Sequence, residues 1–222
     1  MSVDIYVMPL WRHLARDFDS SLSQMFGDAA MTIGLDGSVG PSPRQTGVSL
    51  LRRTRAGMHA SRYIREVRRA NPGSAIRWLD DGPSEWIGSI GFGGSMVTAF
   101  AAYLAARPRF ERFEPEPEDN YYNHPAVKVC HEENIPLGIP HLSASGMYAG
   151  YLLPVDFEIP AVVLRYKIRI WTFHRYAASA IRARAELAML LQELESNKHF
   201  APEHDDLRQS IQSTARITDL AV

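Results

Sequence analysis

The side chains best suited to chemistry gather in the middle of the chain: His124, Cys130, His131 and His141, with Glu132 and Glu133 between them. Imidazole, thiolate and carboxylate are the groups zinc prefers, so His124, His131 and His141 are the candidate ligands of a metal site. Their H-x5-C-H-x9-H spacing fits no standard zinc framework, and adjacent residues such as Cys130 and His131 rarely face one ion together. Spacing therefore calls for no metal and no cofactor, and a structural role is the default expectation for these side chains.

Cys130 can also be read as a nucleophile, with His141 or His174 as its base. That chemistry needs a depressed thiol pKa and a base within hydrogen-bond reach. A lone cysteine is more often a small buried hydrophobe. Because it is the single cysteine among 222 residues, no intramolecular disulfide can form. That fits a reducing compartment. The start, Met1-Ser2-Val3-Asp4, with Pro9 and Arg12 soon after, lacks the basic, apolar and small-residue sections of a signal peptide. A cytoplasmic location is the expectation.

Residues 88–95 read G-S-I-G-F-G-G-S and lead towards a helix. Glycines ahead of a helix let backbone N–H groups approach a phosphate. The order differs from both the P-loop and the dinucleotide fingerprint, so close backbone packing is the better expectation. The apolar stretch 86–106 contains Gly88, Gly91, Gly93 and Gly94, which favours a loop and helix over a membrane span.

The segment from His141 to Phe157 is more organised. His141-Leu142 and Ser145 precede Gly150-Tyr151, which run into Pro154-Val155-Asp156-Phe157. This segment resembles one found in uncharacterised bacterial proteins. The resemblance covers under a tenth of the chain and implies no known activity; it implies a bacterial protein in which His141, Ser145, Tyr151 and Asp156 line a cleft. A small hydrolase or metal-assisted enzyme using His131, His141 and Asp156 is the corresponding catalytic reading. The plainer reading puts Tyr151 and Phe157 in the core and Asp156 at a turn.

Charge supplies a different kind of candidate. The net charge is only −1, yet Arg44, Arg52, Arg53, Arg55, Arg62, Arg65, Arg68 and Arg69 fall in one stretch whose single acid is Glu66. Glu111, Glu114, Glu116, Glu118, Asp119, Glu132 and Glu133 form an opposite block with only Arg112 and Lys128 among them. Such patches attract each other or a partner. Arg62, Arg65 and Arg69 are the candidate partner-binding residues. A nucleic-acid or nucleotide binder using the helix over 44–69 is a further alternative, although a pI near 6.7 argues against a dedicated nucleic-acid protein. The bland reading is a solvated helix face partly neutralised by the acidic block.

The elements that must position these residues follow from hydrophobic period. Alternation predicts a strand over 3–8, and helical spacing predicts helices over 10–26 and 95–106. Ala56, Ala60, Tyr63, Ile64 and Val67 give a helix over 44–70 one apolar face. Residues 34–43 read as an exposed loop and 75–79 as a short strand. The proline-punctuated 114–119 is a solvated loop, and 120–140 is irregular apart from a turn near 127–133. Strands are expected over 150–154 and 161–172, the second with one greasy and one basic face. A stripe through Phe173, Ala177, Ile181, Arg184, Leu187, Leu191 and Leu194 predicts a helix closing near Asn197, with a last polar helix over 203–214.

Together these define an α+β chain, with a modest, mainly antiparallel sheet packed against two long helices over 44–70 and 177–197. It forms one domain over 1–222, with 200–222 a loosely packed helical appendage. In function the leading expectation is a bacterial, intracellular, non-enzymatic protein that engages a protein partner. An accessory or toxin-neutralising role suits that description, with no membrane association.

Overall fold

Ala56, Ala60, Tyr63 and Val67 recur at spacings of four, three and four, the period that puts side chains on one face of a helix. In a computed structural model of the chain they are the buried face of helix α1, Leu50–Ala70. The structure describes residues 3–7, 31–33, 39–41, 50–73, 85–90, 93–114, 123–145, 150–168, 171–196 and 205–220. The helix expected over 10–26, the strand expected over 75–79 and most of the acidic loop lie outside them.

The end of α1 is tied down. Gly73 takes φ 91°, a left-handed value that suits glycine just beyond a helix end. The buried Asn71 side chain donates to Val67 O (3.0 Å) and Ile159 O (2.9 Å), and accepts from Ile159 N at 2.8 Å. One amide thus pairs with both backbone groups of a residue 88 positions away.

Strands β1 (Val3–Val7) and β4 (Glu85–Ile90) pair antiparallel, as do β2 (Met31–Ile33) and β3 (Val39–Pro41). The last pair places strand inside the stretch read as an exposed loop. Strand β4 likewise takes up Gly88, Ser89 and Ile90, so the first part of the glycine run is sheet, and helix α2, Gly93–Ala105, follows. The main sheet has order β5-β7-β6, with β5 at Gly150–Leu153, β6 at Ala161–Ile168 and β7 at Trp171–Ser179. Strand β7 runs antiparallel to β6 and parallel to β5, so the sheet is mixed.

Three sequence expectations are corrected here. The single strand expected over 161–172 is a hairpin, and Phe173 and Ala177 belong to β7 rather than to a helix. The strict alternation expected of β6 is broken by an irregularity between Val162 and Leu164; Val163 is buried and Arg165 exposed, although they share parity.

Helix α3 (Pro125–Glu132) stands where the sequence predicts a turn, and helix α4 (Pro140–Ser145) begins on a proline, a residue suited to a first helical turn. Helix α5 (Ala180–Ser196) follows β7 directly, with Ser179 Oγ accepting from Arg182 N at 3.1 Å as an N-cap. Its buried face is Ala180, Ala183, Leu187, Leu190 and Leu194. Helix α6 is Asp205–Leu220.

The buried residues form two clusters. Tyr63 and Val67 of α1 pack with Leu153, Phe157, Ala161, Val163 and Ala177 of the sheet region. Phe100 and Tyr103 of α2, Phe113, Cys130 of α3, and Leu187 and Leu190 of α5 make the other, together with Leu207 and Ile211 of α6. One long helix therefore packs on the sheet, while the outer turns of α5 belong to the helical cluster. Helix α6 is part of that cluster too, through the fully buried Leu207 and Ile211.

Candidate functional site

The buried face of α1 fixes what its other side presents. Arg62, Arg65 and Arg69 are exposed there, as is Arg55. Among the described residues no carboxylate lies within ion-pair distance of these four. Glu66, the helix's one acid, is half-buried and makes no ion pair with a described residue. Two of the described acids of the opposite block, Glu114 and Glu133, are matched locally instead. Glu133 is gripped by both terminal nitrogens of Arg109, and Glu114 pairs with Arg112 at 2.7 Å. The Arg109 hydrogen bonds hold the Glu133 carboxyl below its usual range.

His141 sits where α4, the β7–α5 junction and the loop after β5 meet. Its Nδ1 accepts from Ser179 N at 3.0 Å, and Nε2 lies 3.0 Å from Glu158 O. Since Nδ1 faces a donor and Nε2 an acceptor, the ring is the neutral Nε2–H tautomer. Both nitrogens are used, and only 2% of the residue is exposed. No lone pair is left for a metal ion or for taking a substrate proton in this arrangement. Burial holds its pKa below the ordinary 6.5, as expected for a cation without water. Phe157 packs on the ring at 71° and 5.7 Å.

Around this histidine the other predicted residues have separate tasks. Asp156 accepts from Arg182 Nε at 2.5 Å and Nη2 at 3.3 Å, an exposed pair at the surface. Tyr151 packs on Tyr63 with ring centres 5.7 Å apart, so it joins sheet to α1. Ser145 is the last residue of α4. Glu186 of α5 accepts from His141 N (2.9 Å) and Leu142 N (2.8 Å) with its two oxygens. It satisfies two N–H groups that a short helix leaves unpaired at its start. Burial pushes the Glu186 carboxyl above its usual value, opposed by those two hydrogen bonds.

His124 repeats the arrangement in the helical cluster. Its Nδ1 accepts from Ala126 N at 3.2 Å as the N-cap of α3, Nε2 is 3.1 Å from Glu114 O, and the ring stacks on Phe113. Cys130 is buried, donates to Ala102 O at 3.4 Å, and has its thiol pKa raised by burial. A reactive thiol needs the opposite shift. His131, one residue on, is exposed in the last turn of α3. Among the described residues no three His, Cys, Asp or Glu side chains converge as a metal site would require.

The structure thus gives His124, His141 and Cys130 backbone partners inside the fold and leaves Arg62, Arg65 and Arg69 together at the surface. Sequence reading missed Asn71, Ser179 and Glu186. Ser179 three residues before Arg182 is a legible N-cap position, but nothing local marks Glu186 as the partner of a residue 45 positions away. No protein-family model, curated protein or solved structure matches the chain. No helix among the described residues is long and apolar enough to cross a membrane.

Proposed function

We propose that this chain is a non-catalytic bacterial protein of the cytoplasm that binds another protein through the arginine face of α1. The observation that carries the reading is the exposed set Arg55, Arg62, Arg65 and Arg69, held on a helix whose opposite face is buried, with no described carboxylate in ion-pair reach. Fixed like charges on a rigid element steer an oppositely charged partner and favour one docked orientation. An accessory or toxin-neutralising role fits such a surface. The lone, buried Cys130 supports a reducing compartment.

The test is affinity capture at several salt concentrations with the wild-type chain and an Arg62→Glu, Arg65→Glu, Arg69→Glu variant. Proteins held by the wild type should be lost from the variant and released as salt rises. A variant that captures the same proteins with the same salt profile removes the arginine face from the function. Retention of nucleic acid rather than protein would move the reading to phosphate binding.

A further inference from the structure

The outward face of α1 has a repeat as well as a charge. Leu51, Arg55, Met58, Arg62, Arg65 and Arg69 follow one another at spacings of four, three, four, three and four. At roughly 100° per residue they lie in a stripe about 80° wide, opposite Ala56, Ala60, Tyr63 and Val67. Alternating spacings of three and four keep all six on one side of the helix, a strip along which a second helix can lie. No described residue covers Leu51 or Met58, which are 81% and 64% exposed, unusual for two large apolar residues on one helix face.

We infer that this stripe docks an amphipathic helix of a partner protein, with carboxylates opposite Arg55, Arg62, Arg65 and Arg69 and apolar side chains opposite Leu51 and Met58. The inference rests on the protein-binding reading above and adds the partner's chemistry and shape. Charge decides against a second copy of this chain. In parallel pairing each arginine would meet itself. In antiparallel pairing centred on Ala60, Arg55 would meet Arg65, while Leu51 and Met58 would face Arg69 and Arg62. Like charges in direct opposition weaken such an interface. An acidic helix satisfies both parts of the stripe, because guanidinium–carboxylate pairs can sit beside two apolar contacts. A lipid surface fits less well, since burying Leu51 and Met58 among acyl chains would take the interleaved Arg55 and Arg62 with them. The four arginines span about 21 Å at 1.5 Å rise per residue, so the docked helix needs roughly four turns.

The experiment uses the full chain and fluorescence anisotropy with four probes. One is a synthetic helix of about 19 residues, the length of the stripe from Leu51 to Arg69, with glutamates and leucines repeating at three and four. The second is a scrambled peptide of the same composition, the third a short DNA duplex, and the fourth phosphatidylglycerol vesicles. The patterned helix should bind about tenfold tighter than the scrambled one, a difference of one decade in Kd. Met58→Glu should remove that preference, and Arg62→Glu with Arg65→Glu should weaken both peptides. Circular dichroism should report an unchanged fold, because all three positions are exposed. Equal binding of patterned and scrambled peptides overturns the helix inference alone, provided the arginine variant still loses them; the protein-binding reading then stands on charge. Peptide binding that ignores the arginine substitutions overturns both, as does tighter binding to duplex or vesicle. No binding to any probe overturns the helix inference.

Discussion

Replacing His141 with phenylalanine keeps the ring and its packing on Phe157 while deleting both ring nitrogens. Ser179, fully buried, then loses the acceptor for its backbone N–H, and the exposed Glu158 loses a donor to its carbonyl. A buried orphan donor costs about 1–3 kcal/mol and a lost ordinary hydrogen bond about 0.5–1.5, so His141→Phe should destabilise by about 1.5–4.5 kcal/mol at pH 7.5. The size should depend on pH in a definite direction. Burial, the largest influence, lowers the folded-state pKa of His141 from 6.5; Arg182 lowers it further, while the Glu158 carbonyl and Asp156 oppose. The unfolded chain therefore takes up this proton first. Its contribution is intact above pH 6.5 and declines by about 1.4 kcal/mol per pH unit below that, until the folded pKa is reached. The variant has no such proton, so the gap between the two proteins should shrink as pH falls from 7.5 to 5.5. Glu186, with a raised folded-state pKa, works in the opposite direction but is present in both proteins. Urea unfolding at four pH values measures the gap, and nitrogen-15 NMR of the wild type should find Nδ1 unprotonated. A gap that is constant with pH, or a proton on Nδ1, would refute the assignment of this histidine to the neutral Nε2–H form.

Three other outcomes are expected. Asn71→Leu should cost about 1–3 kcal/mol in urea unfolding, since two hydrogen bonds that join the end of α1 to Ile159 and one to Val67 are lost; an unchanged midpoint would make the clamp incidental. A thiol reagent should label Cys130 no faster than the protein unfolds, and prompt labelling of the native chain would contradict its burial against Ala102. Arg65→Glu should leave stability unchanged or raise it by about 0.2–0.5 kcal/mol, because an acid four residues before Arg69 is a favourable helical pair, while partner capture falls. Loss of thermal stability in that variant would mean the arginine supports the fold.

Helix α1 was legible because its sequence carries an uninterrupted period. Ala56, Ala60, Tyr63 and Val67 have no competing polar residue, and each is buried. The β7–α5 boundary was not legible, for a physical reason: Ala177 and Ile181 are four residues apart, so a helical stripe can be drawn through a strand that runs straight into a helix. Between Ile168 and Trp171 the sequence reads Arg-Ile and has none of the glycine or asparagine that marks a tight hairpin. At the histidines the difficulty is of another kind. His141 and His124 are held chiefly by backbone N–H and C=O groups, which every residue carries, so no residue type in the sequence signals their partners. Histidine counting alone makes such residues look catalytic; here their lone pairs are spent on the fold.

The same distinction bears on the arginines. Arg62, Arg65 and Arg69 bury no face of α1, and spacings of three and four between like charges destabilise a helix by roughly 0.2–0.5 kcal/mol per pair. Arg69, in the last turn, gains something back near the helix end, where cations meet the negative pole of the backbone dipoles, but Arg55, Arg62 and Arg65 lie too far from it. Anchorage to the sheet through Tyr63 and Val67, and the Asn71 clamp beyond, hold the helix without them. Their local acids could have matched them, as Glu133 matches Arg109 and Glu114 matches Arg112; Glu66 alone shares their helix. A charged face that adds little to the fold and is left unmatched by the described acids is what the proposed acidic partner would compensate.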